Sequence, residues 1–275
     1  MIWVGGRIIS EGSLAIGPSD RALEHGLGLF ETLRTWNGHP SLLARHLDRL
    51  RRSAETLHLP LDPAALPDAG AVGELLRASR VEGEARLRIT ATGGMSALSG
   101  STVWMQCDPL SLDASTTGAV LVPAPWPIVF DDPLARHKSL NYWSRRLAFE
   151  AARERGADEA LFSTPDGRVW EGSRTNLFLI RDGTLWTPGL DGPIVPGIVR
   201  GLVLELAPAL GLAIREGDLS GHDLDRAEEV FLTNAVRGII PVARAAGRNF
   251  ETPGPWTRRL RDAMVVGLER EGVRP

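Results

Sequence analysis

Leu43, Leu47, Leu50, Ala54 and Leu57 recur at spacings of four and three, which predicts a helix with one apolar face. Ser41 is the expected cap, and Arg45, Asp48, Arg49, Arg51 and Arg52 fill the surface that should meet water. Ahead of this helix, Ile2-Trp3-Val4 and Arg7-Ile8-Ile9 flank Gly5-Gly6 and predict a hairpin. Leu29 to Trp36 reads as a strand that ends on Asn37-Gly38, a strong hairpin turn signal. After the helix, Pro60 to Pro67 interrupts the periodicity and a shorter helix is expected over Ala71 to Arg80. The alternation Arg86/Leu87/Arg88/Ile89 marks a half-buried strand over Ala85 to Thr92, closed by Gly93-Gly94, and Thr102 to Cys107 reads as another.

Asp108 to Thr117 is polar and rich in small residues, and Pro123-Ala124-Pro125-Trp126-Pro127 follows a short Val/Leu strand. Three prolines in five residues suit neither a ladder nor a helix interior, so they mark a stiff connector. Beyond it a helix is expected from Ser144 to Arg155, then strands over Glu159–Ser163, Arg168–Gly172 and Asn176–Ile180. Gly197 should open a helix that runs to Ala207, where Pro208 ends or kinks it. Glu229–Thr233 and Ile239–Val242 read as strands, and Trp256 to Leu268 as a last helix. The expected organisation is a small N-terminal α+β domain over 1–118 with a mainly antiparallel sheet, a connector over 119–127, and a larger domain over 128–275. Lys138 then falls just inside the second domain, close to the join, where ligand clefts are frequent.

Composition narrows the class of function. Hydrophobic content of 43%, charge of 24% and a net charge of −3 describe an ordinary globular chain with no basic footprint, so neither nucleic acid nor a membrane is an expected partner. One cysteine, Cys107, rules out an intrachain disulfide and metal clusters of the CxxC kind, and no metal is expected. The N-terminus lacks the charged and apolar regions of a signal peptide, and the expectation is cytoplasmic.

The candidate chemistry lies in Arg136-His137-Lys138-Ser139-Leu140-Asn141-Tyr142-Trp143. Lys138 is the only lysine, in a chain that uses arginine at every other basic position, and Tyr142 is the only tyrosine. Arginine supplies charge, but only lysine can lose its proton and attack a carbonyl, so Lys138 points to Schiff-base chemistry. The commonest such partner, pyridoxal 5′-phosphate, needs an acid for its ring nitrogen and a cup for its phosphate. Glu171, after Trp170 on an apolar strand, is the candidate acid. The turn into a helix at Pro196-Gly197-Ile198-Val199-Arg200 offers backbone donors for the phosphate. Thr233-Asn234-Ala235, at a strand end, offers more. A solvated strand-end glutamate, an ordinary helix start and an ordinary turn are the plain alternatives. The GxG at Gly26-Leu27-Gly28 lacks the third glycine of a dinucleotide fingerprint, since Glu31 stands there.

Taken jointly, Glu171-Gly172-Ser173-Arg174-Thr175-Asn176-Leu177-Phe178, Leu185-Trp186-Thr187 and Val195-Pro196-Gly197-Ile198-Val199-Arg200 resemble the signature of the class IV aminotransferase family. The resemblance runs from Asp20-Arg21 to Val242. It implies a two-domain α+β fold of type IV, with a β-rich pseudo-barrel in the C-terminal domain, pyridoxal 5′-phosphate as cofactor and a homodimer. It further implies that Lys138 is the Schiff-base lysine, that Glu171 pairs with the pyridine nitrogen, and that Arg49 in His46-Leu47-Asp48-Arg49-Leu50 binds the phosphate. Ile198 and Val199 match the backbone phosphate donors, and Tyr142 resembles the tyrosine on the cofactor's phenolic oxygen. Three features depart from parts of the family. The branched-chain enzymes carry one more residue between lysine and tyrosine, while the spacing from Lys138 to Tyr142 resembles that of the D-amino acid enzymes and the lyases. Ala235 stands where aminotransferases usually place threonine, so that Thr233-Asn234-Ala235 is more similar to the lyases. The arginine that the D-amino acid enzymes carry after the strand is absent after Thr92. The implied activity is transfer of an amino group between a small amino acid or amine and a 2-oxo acid. 4-Amino-4-deoxychorismate lyase, releasing 4-aminobenzoate and pyruvate, is the alternative. Arg34, Arg88 and Arg237 are candidates for a substrate carboxylate.

Overall fold

The computed structural model describes residues 1–111 and 118–270, and the chain divides into two compact units. The last residues of the polar stretch Asp108–Thr117 lie outside the described residues; its first two finish a strand.

In the first unit the elements are β1 (Ile2–Val4), β2 (Arg7–Ile9), α1 (Arg21–His25), β3 (Gly28–Trp36), β4 (His39–Pro40), α2 (Leu43–Thr56), α3 (Ala69–Ser79), β5 (Ala85–Thr92) and β6 (Val103–Pro109). The strands form one antiparallel sheet in the order β2-β1-β6-β5-β3-β4. Both hairpins form as expected, and Asn37 and Gly38 each take positive φ, as a two-residue turn between twisted strands requires. Alternation along β3 and β5 sends Leu29, Leu33, Leu87, Ile89 and Ala91 into a core closed by Leu47, Leu50, Val72 and Leu75 of the two helices.

Two expectations about α2 fail. Leu42, with φ of 55°, occupies its N-cap and makes no side-chain cap, so Ser41 is not the cap. Arg49 does not face water: it is buried, because a carboxylate on β3 waits for it on the core side of the sheet.

The first unit also takes in His137–Asn141, which groups with β3 rather than with the sequence around it. This strap lies along the free edge of β3 at its start. Phe30 N–H donates to the Lys138 carbonyl and Leu140 N–H to the Gly28 carbonyl, both at 2.9 Å, and Leu29 and Ser139 form an isolated bridge. The approach is close enough to need Gly28, where a Cβ would come within 2.5 Å of Leu140 Cδ1.

The second unit carries β7 (Ala119–Pro123), α4 (Trp143–Glu154), β8 (Glu159–Ser163), β9 (Arg168–Gly172), β10 (Asn176–Arg181), β11 (Thr184–Thr187), α5 (Ile198–Leu206), β12 (Ala213–Glu216), β13 (Leu219–Ser220), α6 (Gly221–Arg226), β14 (Glu229–Asn234), β15 (Gly238–Ala245), β16 (Arg248–Asn249) and, up to Gly267, α7 (Pro255–Arg270). Following the pairings from β10 through β14, β15, β7, β8 and β9 returns to β10, where Asn176 pairs with Glu171. Six strands thus close a ring, which is the expected pseudo-barrel. The short Val/Leu strand expected ahead of the prolines forms: Ala119–Pro123 are β7, hydrogen-bonded between β15 and β8 with parallel pairing on both sides. Ala148 and Ala152 let α4 lie close against the barrel beside Ala160 and Phe162. Glu229 caps the start of α7 by accepting from Trp256 N–H, Thr257 N–H and the Thr257 hydroxyl.

Leu33 has no exposed surface and sits at the centre of the first core. Leu33→Ala is expected to lower the unfolding free energy by about 2–5 kcal/mol in urea denaturation followed by tryptophan fluorescence.

Candidate active site

The expected site residues fall into two groups. Lys138 and Arg49 belong to the first unit; Tyr142, Glu171, Gly197, Ile198, Val199, Thr233, Asn234 and Ala235 belong to the second.

In the first unit the strap fixes the Lys138 main chain, and its Nζ sits 4.5 Å from the centroid of the Phe30 ring. Arg88, from β5, lies over the same ring at 3.9 Å. Thr90 faces Phe30 across the strand pair, and its hydroxyl is buried with no hydrogen-bond partner. His137, next to Lys138, bonds through Nδ1 to the Ser53 hydroxyl of α2 at 2.9 Å and so ties the strap to that helix. Of the other candidate arginines, Arg34 is engaged by Glu84 and the Thr35 carbonyl, and Arg237 is exposed on the β14–β15 turn.

Beneath this lies a buried charge cluster. Glu31 Oε1 accepts from Arg49 Nε at 2.8 Å; Oε2 accepts from Arg49 Nη2 at 2.6 Å and contacts His46 Nδ1 at 2.7 Å. The bidentate fork gives the Arg49 guanidinium one orientation. Burial alone would raise the Glu31 pKa, but Arg49 and His46 bring it down to about 2. Burial lowers the His46 pKa more than Glu31 raises it, so His46 is neutral in the fold at pH 7.

In the second unit, Asn176 is where the expected residues meet. It is the first residue of β10, in register with Glu171 of β9 on one side and Thr233 of β14 on the other. Its Nδ2 donates to Glu171 Oε2 at 3.1 Å and to the Val195 carbonyl at 2.9 Å. Val195 N–H donates to the same carboxylate oxygen at 3.1 Å. Gly197 packs so tightly on the Asn176 amide that a Cβ there would overlap its oxygen.

Glu171 is buried, as its apolar strand foretold, but its cationic partner was not foreseen. Arg145 of α4 brings Nη2 to 2.5 Å from Oε1. Burial opposes the Arg145 charge, yet Glu171 and Tyr142 outweigh it, so the guanidinium pKa lies above its ordinary value. Tyr142 donates to the Ser173 carbonyl at 3.1 Å. Burial pushes the Tyr142 phenol up, which keeps it a neutral donor. The turn between β9 and β10 is held by Glu159, which accepts from the hydroxyls of Ser173 and Thr175 and from Ser173 N–H.

A phosphate fits what remains. Gly197 is the N-cap of α5 and supplies no side-chain cap, so Ile198 and Val199 present first-turn N–H groups that a helix cannot itself satisfy. The helix packs on β14, where the Thr233 hydroxyl is buried and has no hydrogen-bond partner. Such an orphan donor is costly unless an acceptor meets it. The Asn234 side-chain oxygen accepts from Val236 and Arg237 N–H and shapes the turn that holds Ala235.

Comparison with known proteins identifies the family. The model of the amino-transferase class IV family matches residues 28–245. A putative branched-chain-amino-acid aminotransferase of Methanocaldococcus jannaschii is 31% identical over 99% of the chain and 98% of its own length. The aminodeoxychorismate lyase of Bacillus subtilis is 31% identical over 91% of the chain and 88% of its own length. Among solved structures, the T.th. branched-chain amino acid aminotransferase with pyridoxamine 5′-phosphate superposes with a TM-score of 0.87 at 27% identity, covering 100% of this chain and 95% of that one.

The buried cluster makes the fold acid-sensitive. Glu31 has an ordinary pKa of 4.5 and a folded value of about 2, so its stabilisation is complete above pH 4.5 and is lost as pH falls towards 2. That shift corresponds to roughly 3 kcal/mol. His46 acts in the same direction, because the unfolded chain takes up a proton below about pH 6.5 before the folded chain does. Thermal melts between pH 7 and pH 3 should show this loss, and Glu31→Gln should be less stable at pH 7 with a flatter acid limb.

Proposed function

Since the chain belongs to the class IV aminotransferase family, we propose that it uses pyridoxal 5′-phosphate to move an amino group between a small amino acid or amine and a 2-oxo acid. Branched-chain amino acids are the first substrates to test, given the relatives. The observation that carries this reading is the sole lysine, its main chain tied to the β3 edge and its amine beside Phe30. When bound, the cofactor supplies an aldehyde for the amine and a ring that takes up the electron pair left at Cα.

The chain's own residues do the rest. Lys138 Nζ is the amine that attaches the cofactor and then the base that carries the Cα proton. Glu171, kept anionic by Arg145, holds the proton on the ring nitrogen. Ile198 and Val199 N–H, with the Thr233 hydroxyl, take the phosphate on the α5 terminus, where the helix dipole favours negative charge. Arg49, oriented by Glu31, and Tyr142, a neutral phenol, are assigned to the phosphate and to the phenolic oxygen from the family pattern. Arg88 is the favoured partner for a substrate carboxylate, since it shares the Phe30 ring with Lys138.

A lyase relative at equal identity makes the alternative concrete. The purified protein should absorb at the visible edge, and borohydride should bleach it and mark the single lysine-containing peptide. Lys138→Ala should lose this band and at least about a hundredfold in rate. A panel of amino donors and 2-oxo acids should show turnover with branched-chain pairs. Rapid release of 4-aminobenzoate from 4-amino-4-deoxychorismate without an acceptor, and no transfer in the panel, would replace the proposal with the lyase.

A further inference from the structure

Glu171 is not held by neutral donors alone. Asn176 Nδ2 and Val195 N–H already anchor Oε2, yet Oε1 takes a full cation from Arg145, the third residue of α4. The same guanidinium reaches the carbonyls of Ala135 and Gly172 at 3.4 and 3.5 Å, which fixes its plane. The side chains of the pair are 15% and 3% exposed, so water screens the interaction little. Titratable groups that act on Arg145 or on Tyr142, the N-cap of α4, include Glu159 on β8 and Arg174 in the turn after β9. Glu159 is engaged by that turn, and Tyr142 is neutral. Arg145 is thus a cation in direct contact with the acid.

A second positive partner cannot meet this carboxylate as it would meet a lone one. We propose that Arg145 is a positioning residue that holds Glu171 as a preformed anion and shares that anion with the cofactor's ring nitrogen, so the ring proton is held less tightly than Glu171 alone would hold it. This rests on the cofactor assignment above. Its effect is to temper the ring's pull on electrons from Cα, while sparing the site from having to ionise a buried acid when the cofactor enters.

The test is the ¹⁵N chemical shift of pyridoxal 5′-phosphate labelled at the ring nitrogen, followed against pH in the holoenzyme. In Arg145→Gln the protonation midpoint should rise by about one to three pH units over wild type, the range that one nearby charge controls. Arg145→Lys, which keeps the charge, should return the midpoint most of the way. Should Arg145→Gln fail to fold, Arg145→Met supplies the neutral variant. A purely structural role would lower the melting temperature and leave the midpoint in place. An unmoved or lowered midpoint in the neutral variant overturns the proposal, as does a wild-type ring that stays fully protonated to the alkaline limit of folding. Wild-type protein with no visible-edge band overturns the cofactor assignment, and this proposal with it; a normal band with an unmoved midpoint overturns this proposal alone.

Discussion

A flexible side chain is aimed by its main chain, and here two main-chain hydrogen bonds aim the only side-chain primary amine in the protein. Phe30 N–H and the Gly28 carbonyl bind the peptide on each side of Ser139, so Lys138 leaves the strap from a fixed point on the β3 edge. A lysine on a loop loses much rotamer freedom when it must act in one direction. Anchoring the strap like a strand removes the backbone share of that cost beforehand. Gly28 suits this arrangement, since a Cβ there would meet the Leu140 side chain and, at 2.9 Å, the Ala91 carbonyl of β5. The glycines around residue 27, weak as a dinucleotide motif, thus have a packing reason.

Each unit also buries a carboxylate and surrounds it with donors. Glu31 takes a bidentate arginine and a histidine; Glu171 takes an arginine, an amide side chain and a backbone N–H. An ion taken out of water costs several kcal/mol unless its partners replace the hydration. Both clusters therefore fix geometry, and the first also makes the stability of the fold acid-sensitive. The first fixes Arg49 from inside the core; the second fixes the acid that faces the proposed cofactor.

Much of this was legible from residues alone, and the rest was hidden for identifiable reasons. The strands of β5, β8 and β9 and the helix α2 follow from periodicity, because alternation and the 3.6-residue repeat report burial directly. Arg49 was misread as solvent-facing because an arginine-rich helix looks polar all round. The clue was on another element: Glu31 occupies an inward position between Leu29 and Leu33, and a buried carboxylate demands a cation. The Val/Leu run of β7 reads as a strand, but nothing in it tells that it pairs on both sides, with β15 and β8. Arg145 carried no signal, since nothing in α4 distinguishes it from Arg146, which makes an exposed ion pair with Glu150. Only the packing of α4 on β7 and β8, which brings Arg145 to Glu171, separates the two.

The barrel's closure explains why residues distant in sequence serve one site. β10 is the strand at which the ring closes, and its first residue is the single point paired with β9. Because side chains alternate along a strand, the register of that one pair decides which residues of β9 and β14 sit beside it. With Asn176 opposite Glu171 and Thr233, the acid, the orphan hydroxyl and the α5 tip against Gly197 all fall around one amide. A slip of one residue would turn Glu171 to the opposite face and leave Arg145 facing Gly172. Glu159 guards against that slip, since it binds Ser173 and Thr175 together and sets the length of the turn between the two strands.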